Sequence, residues 1–269
     1  MGQFPSVEHS GRRLAWRERG AGPTLLLLQG YGGTATDWDP TFLAGLTETF
    51  RVVRPDPRGM GGSSVGDPAE ALTVASMAED ALVVLDACGG GAAVVVGWSM
   101  GGFVAQAITC LAPERVAGLA LIGTDAGGPD AVVADPDVWA RLIDPSGTPR
   151  EQASRLLHLL FPMPLADSVD AEVGDVVAGA RAVIDPAVLR MQDAAIAAWH
   201  AAPPLGVPSE APPTVAVAGA DDVVIPAANL ERLAERWRGC QTVAYEGAGH
   251  AVMAQQPGPI VELVRSLAG

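Results

Sequence analysis

The chain has 269 residues, 17 basic and 31 acidic side chains, a net charge of −14 and 49 % hydrophobic residues. That length suits one large α/β unit that carries an insertion and buries a substantial core. The acidic balance and the lack of any strongly basic cluster exclude a nucleic-acid backbone or an anionic membrane surface as the expected partner. Every basic side chain is arginine, for the sequence contains no lysine. This excludes Schiff-base chemistry, pyridoxal phosphate attachment and the lysine of a phosphate-binding loop. Cys88, Cys110 and Cys240 are far apart, odd in number and without a CxxC pair, so they read as reduced thiols of a cytoplasmic protein. The opening Met1-Gly2-Gln3-Phe4-Pro5 has no basic stretch followed by an apolar segment, and the run Leu25–Leu28 is too short to span a bilayer. Neither secretion nor a membrane anchor is expected.

In chain order, Leu14–Arg19 alternates apolar and polar residues like a half-buried edge strand, and Thr24–Leu28 is continuously apolar like a central one. An early antiparallel hairpin leading into a parallel sheet is predicted. Arg51–Arg54 forms the next strand, and Val74, Met77, Ala78, Ala81, Leu82 and Leu85 recur at helical spacing. A strand at Ala92–Val96, a helix at Phe103–Leu111 and a strand at Val116–Ile122 follow, so strand and helix alternate throughout this half. From about Gly127 to Pro213 the β-branched runs give way to short helical stretches broken by prolines, among them Gln152–Leu160 and Pro186–Trp199. That segment reads as an inserted helical cap over residues 127–213, leaving a core built from 1–126 and 214–269. Strands at Thr214–Ala218 and Thr242–Tyr245 and helices at Ala227–Trp237 and Ile260–Leu267 then complete the chain.

The most informative segment is Gly97-Trp98-Ser99-Met100-Gly101-Gly102, directly after the apolar run Ala92–Val96. A serine at a strand-to-helix turn with glycines two positions away on each side is the pattern of a nucleophile elbow. The turn is too tight for side chains at those flanking positions. A serine hydroxyl needs a general base to attack a carbonyl at neutral pH. Of four histidines, only His250, in the loop Gly247–His250 after the last strand, has the position of such a base. His9 reads as exposed near a turn, while His158 and His200 belong to cap helices and are retained as pocket-lining candidates. A carboxylate must hold the imidazole in the right tautomer. Asp222, where the strand Thr214–Ala218 has ended, is the preferred candidate; Asp221 beside it suits a turn cap, and Asp125, past the strand ending at Ile122, is the alternative acid. Two backbone amides are positioned to donate to an oxyanion: Met100, at a helix N-terminus, and Tyr31, in the loop Gln29-Gly30-Tyr31-Gly32-Gly33 that Gly30 helps to bend.

These segments, together with Asp56-Pro57-Arg58-Gly59-Met60-Gly61-Gly62-Ser63, resemble the α/β-hydrolase superfamily over essentially the whole chain. The order Ser99, Asp222, His250 is the one that family uses. The resemblance implies an α/β fold with a mostly parallel central sheet flanked by helices. Where the family usually has His-Gly at the oxyanion loop, this chain has Gln29-Gly30; the donor there is a backbone amide, and a glutamine can also brace a loop by hydrogen bonding. A serine at the elbow disfavours the aspartyl-ester chemistry of related epoxide hydrolases and dehalogenases. Cofactor-free perhydrolases, C–C bond hydrolases and enol-lactonases remain open beside carboxylesterases.

Two readings compete from other classes. Gly30–Ala35 matches GxGxxA after a strand, with Asp56 at the end of the next, as in a dinucleotide site. Asp37-Trp38-Asp39-Pro40 interrupts the helix such a site requires, and no Tyr-x-x-x-Lys pair exists without lysine. A catalytically silent binding protein of the same fold is the other. The expectation is therefore a serine hydrolase acting on an ester or lactone of a small-to-medium apolar substrate, as monomer or homodimer, without metal or organic cofactor. The cap's Leu, Val and Ala residues and Trp139, Phe161 and Trp199 suggest an apolar substrate, although each aromatic also suits the cap's own core.

Overall fold

A computed structural model describes residues 4–67 and 69–268. Met1–Gln3, on which part of the N-terminal reading rests, lie outside them. Eight strands form one sheet: β1 (Ser6–His9), β2 (Arg12–Arg19), β3 (Thr24–Leu28), β4 (Arg51–Pro55), β5 (Ala93–Trp98), β6 (Val116–Ile122), β7 (Thr214–Gly219) and β8 (Gln241–Tyr245). Their spatial order is β1-β2-β4-β3-β5-β6-β7-β8. The β1–β2 and β2–β4 pairs are antiparallel and the rest are parallel.

Parallel strands covered by helices on both faces must be apolar at every position, whereas side chains still alternate between faces. Leu26, Leu28, Val95, Leu119 and Leu121 thus join one cluster, packed on α2 (Val74–Ala87) and α3 (Met100–Leu111) through Leu85, Phe103 and Ile108. Leu25, Leu27, Val94, Val96 and Ile122 point the other way, onto α1 (Pro40–Thr47) and α10 (Pro257–Arg265) through Phe42, Leu46, Ile260 and Val264. Each fully buried leucine or phenylalanine here contributes about 1.5–3 kcal/mol relative to exposure.

The N-terminal strands depart from expectation. The sheet edge is β1, too short and too exposed to show a pattern, so Leu14–Arg19 belongs to the second strand. Leu14, Ala15 and Trp16 are buried in succession, and the hairpin joins β1 to β2, while β3 inserts on the far side of β4. The segment Asp37–Pro40, read as an interruption, is a helix start: Asp39 accepts a 2.7 Å hydrogen bond from the Phe42 amide and Pro40 fills the first turn of α1. α1 therefore opens after Asp39 and not at Gly30–Gly33, so the glycine run does not lead into a helix of its own.

Between β6 and β7 lie α4 (Pro136–Ile143), α5 (Pro149–Leu160), α6 (Leu165–Arg181) and α7 (Pro186–Ala201). α8 (Asn229–Arg236) and α9 (Val252–Gln255) complete the set. α6 buries only Ala166, Gly174 and Ala178, which is why no apolar stripe announces it. α5 and α6 are joined by Arg150 to Asp170 at 2.6 Å and by His158 Nε2 to Asp167 at 3.0 Å. The bond to Asp167, and a second to the Ser154 carbonyl, raise the His158 pKa above its ordinary value. A raised folded-state pKa contributes stability that is complete at low pH and lost as pH rises through that value. The melting temperature lost in His158→Gln should therefore be larger near about pH 5.5 than near about pH 8.5.

Candidate active site

At the carboxyl edge of the sheet, β5 turns into α3 through Ser99, whose φ of 55° and ψ of −125° are unusual for a non-glycine residue. The turn is held by the Ser99 amide on the Ile122 carbonyl at 2.9 Å and by Thr124 Oγ1 on the Ser99 carbonyl at 2.8 Å. A Cβ on Gly97 would overlap the Gly101 carbonyl, and one on Gly101 would overlap the carbonyls of Leu28 and Gln29. Gly101→Ala should cost about 2–3 kcal/mol in urea denaturation, because rigid backbone and not a side-chain tip stands in the way.

His250 follows β8 in a loop that packs on the end of β7, where a Cβ on Gly219 would overlap the carbonyls of Ala248 and Gly249. Trp98 Nε1 donates to the His250 carbonyl at 2.9 Å, fixing the loop from the elbow side. His250 Nδ1 lies 2.7 Å from Asp222 Oδ2, with side-chain exposures of 3 % and 0 %. The other oxygen, Asp222 Oδ1, accepts from the amides of Val224 and Ile225 at 2.8 and 2.9 Å. Its orientation is thus set before any substrate arrives, and a buried carboxylate so placed fixes the imidazole proton on Nδ1. Asp221 is exposed, and the carboxylate bonded to His250 is that of Asp222.

The alternative acid, Asp125, is engaged with different partners. Its Oδ1 accepts from the Gly127 amide at 2.8 Å and from Trp199 Nε1 at 3.1 Å, and its Oδ2 lies 3.0 Å from His200 Nε2. It ties α7 to the end of β6.

In the loop after β3, Gly30 N donates to Gln29 Oε1 at 3.0 Å, Gly33 N to the Gly30 carbonyl at 3.2 Å, and Gly32 N to Gln192 Oε1 at 2.8 Å. Tyr31 N and Met100 N have no acceptor among the described residues. The Gly30 amide is therefore occupied, and the residue matters sterically: a Cβ there would sit 3.1 Å from Ser99 Cβ. Asp56 braces the same region, accepting from Ala35 N at 2.8 Å and Gly62 N at 2.9 Å. Both its oxygens brace the fold, and the side chain is buried.

A model of the α/β hydrolase fold family matches residues 23–151. The putative carbamate hydrolase RutD of Variovorax paradoxus is 31 % identical over 86 % of this chain and 85 % of its own length. The chain belongs to the α/β-hydrolase superfamily. A hydrolase from Pseudomonas aeruginosa PA01 superposes with a TM-score of 0.80 at 29 % identity, covering 100 % of this chain and 99 % of that one. The enol-lactonase from Burkholderia xenovorans LB400 shares the fold with a TM-score of 0.80 at 23 % identity, over 98 % of this chain and 99 % of its own.

Two cavities of this α/β hydrolase meet at Ser99. One, of about 350 Å³, is walled by Met100, Phe103, Trp139, Ile196, Ile225, Asp125 and His200. The other, of about 370 Å³, takes in His250, Gln29, Trp38, Leu157, Val177 and Arg181. Tyr31, Leu142 and Val224 line both. Burial, then the nearby Asp193 charge, push the Tyr31 phenol up to about 12, against the opposing pull of Arg181. Of the helical segment's aromatics, Trp139 lines a cavity, Trp199 stacks behind it on Phe103 at 5.2 Å, and Phe161 lines neither. His200 reaches the first cavity, whereas His158 borders a separate open groove with Arg141 and Glu151. Gln192 and Arg181 were not anticipated from sequence; neither sits in a motif, and only the packing of α6 and α7 brings them to the site.

Proposed function

We propose that this protein is a serine hydrolase that cleaves a carboxylic ester or lactone of a small-to-medium, largely apolar substrate through an acyl-enzyme. The observation that carries the reading is the buried His250–Asp222 pair opening into the cavity that also holds Ser99. Ser99 Oγ attacks the carbonyl carbon while His250 Nε2 takes its proton, and Asp222 stabilises the resulting imidazolium. The carbonyl oxygen, now an oxyanion, accepts from the amides of Tyr31 and Met100, each worth about 3 kcal/mol in such a role. The tetrahedral intermediate collapses, His250 returns the proton to the departing alkoxide, and the acyl group remains on Ser99. Water then attacks that ester, giving its proton to His250, and the acid leaves as Ser99 is restored. No cofactor enters this sequence. Residues 127–213 act as the cap that shapes both cavities.

Support comes from the names of the Variovorax paradoxus and Pseudomonas aeruginosa proteins, both called hydrolases, and from the apolar walls of the two cavities. A fluorophosphonate probe should label Ser99, located by peptide mass spectrometry, and p-nitrophenyl butyrate should be turned over. Absence of both sinks the proposal.

Gln192 is a positioning residue in this scheme. It is fully buried on α7, and its Oε1 fixes the amide next to the one offered to the oxyanion. Gln192→Leu should lower kcat about tenfold or more with little change in KM, since a small misplacement of a donor is felt mainly in the transition state. Gln192→Met, which keeps the bulk but not the acceptor oxygen, should lose as much as Gln192→Leu; a wild-type kcat in Gln192→Met would assign the residue to packing alone.

A further inference from the structure

In a chain with 17 arginines and 31 carboxylates, a partly buried arginine with no acidic partner calls for a reason. Arg181, the last residue of α6, has no ion pair or side-chain hydrogen bond among the described residues. Its Nε is enclosed without an acceptor, as are those of Arg54, Arg155 and Arg236, but those three each have a carbonyl partner at a terminal nitrogen and Arg181 has none. Its neighbours on α5 behave differently: Arg150 is held by Asp170 at 2.6 Å, and Arg155 reaches the Ser146 carbonyl at 2.6 Å. Burial holds the Arg181 pKa below its ordinary value, so the charge is carried at a cost to the fold. A long stem packed along apolar surface with its head in water would cost little, but here the buried atom belongs to the head.

The guanidinium borders the cavity that contains Ser99 and His250, and also an adjoining one of about 430 Å³ shared with Tyr31 and Asp193. Nη1 lies 3.9 Å from where a Cβ on Gly32 would stand, so it reaches the loop beside Ser99. We propose that the substrate carries a carboxylate that Arg181 binds, with the scissile carbonyl at Ser99 and the apolar remainder in the cavity under Trp139 and Ile196. This rests on the hydrolase reading for the orientation of the ligand, and not for the anion site itself. A single guanidinium matches a planar monoanion with two parallel hydrogen bonds. Arg181 is the one arginine lining the Ser99–His250 cavity among the described residues, the exposed Arg190 lines only the adjoining cavity together with Asp193, and the chain has no lysine. A single guanidinium therefore faces the reacting end, which disfavours a phosphate dianion. The Tyr31 phenol, raised to about 12, stays protonated and can donate beside it.

The test is calorimetric titration of the Ser99→Ala protein with monomethyl adipate and, separately, dimethyl adipate, repeated with Arg181→Gln and Arg181→Lys added. The half-ester should bind more tightly than the diester. That preference should shrink by about tenfold or more in Arg181→Gln and less in Arg181→Lys, as expected for loss of charge-assisted hydrogen bonds. Equal binding of the two esters, binding of neither, or a preference that survives Arg181→Gln overturns the inference. Fluorophosphonate labelling of the wild type separates the two claims. Labelling without a carboxylate preference leaves the hydrolase standing and removes the anion site, while a preference without labelling or turnover does the reverse.

Discussion

Ser99→Ala should lose fluorophosphonate labelling and lower turnover of p-nitrophenyl butyrate by roughly 10⁶-fold, the scale seen when a triad nucleophile is removed. The residual rate would come from the oxyanion amides and from binding, which the substitution leaves in place. Because Ser99 is held at a φ of 55°, the same position allows an independent check on the turn. Ser99→Gly should be as inactive as Ser99→Ala yet unfold with about 1 kcal/mol more stability, since glycine carries no Cβ penalty at positive φ. Stability falling on replacement by glycine would mean that the turn is unstrained and the hydroxyl is held for structural reasons. Turnover of Ser99→Ala near the wild-type rate would remove Ser99 from the chemistry.

Asp222→Asn should lower kcat by about 10⁴-fold with modest change in KM, while Asp125→Asn should leave most of kcat in place. An asparagine at 222 presents an amide donor to His250 Nδ1 and favours the tautomer that leaves Nε2 protonated and unable to accept from Ser99. The two backbone amides on Oδ1 keep the side chain in position, so the fold should tolerate the change. At Asp125 the lost charge weakens the bonds to His200 and Trp199. Hydrogen bonds to a buried charged group are each worth about 1.5–3 kcal/mol, so the effect should appear as a lower melting temperature and a higher KM. A larger kcat loss at Asp125 than at Asp222 would reverse the two assignments.

What the sequence disclosed depended on how local each signal was. β3, β5 and β6 are legible because strands buried on both faces need unbroken apolar runs, and the elbow because Gly97 and Gly101 sit against backbone that admits no Cβ. His250 and Asp222 could be paired because both follow strand ends on one edge of a parallel sheet. β1 escaped notice because an exposed four-residue edge strand has no pattern to show. α1 was masked by its own cap and proline, and α6 by its small buried residues. Gln192 reaches Gly32 across 160 positions of chain, and Arg181 is notable for the partner it lacks. Neither property is encoded in neighbouring residues; both are products of how α6 and α7 settle on the sheet.

The bond from Gln192 to the Gly32 amide bears on how such a molecule can change over generations or be re-engineered. If the segment between β6 and β7 were a freely exchangeable module, grafting a different one would alter which substrates enter and nothing else. Here one of its side chains holds the loop whose neighbouring amide we propose as an oxyanion donor, and on that proposal a transplanted segment must bring its own acceptor to the same point. Chimaeras lacking one should bind new substrates yet turn them over slowly, and restoring a single glutamine should raise their rates without changing their preferences.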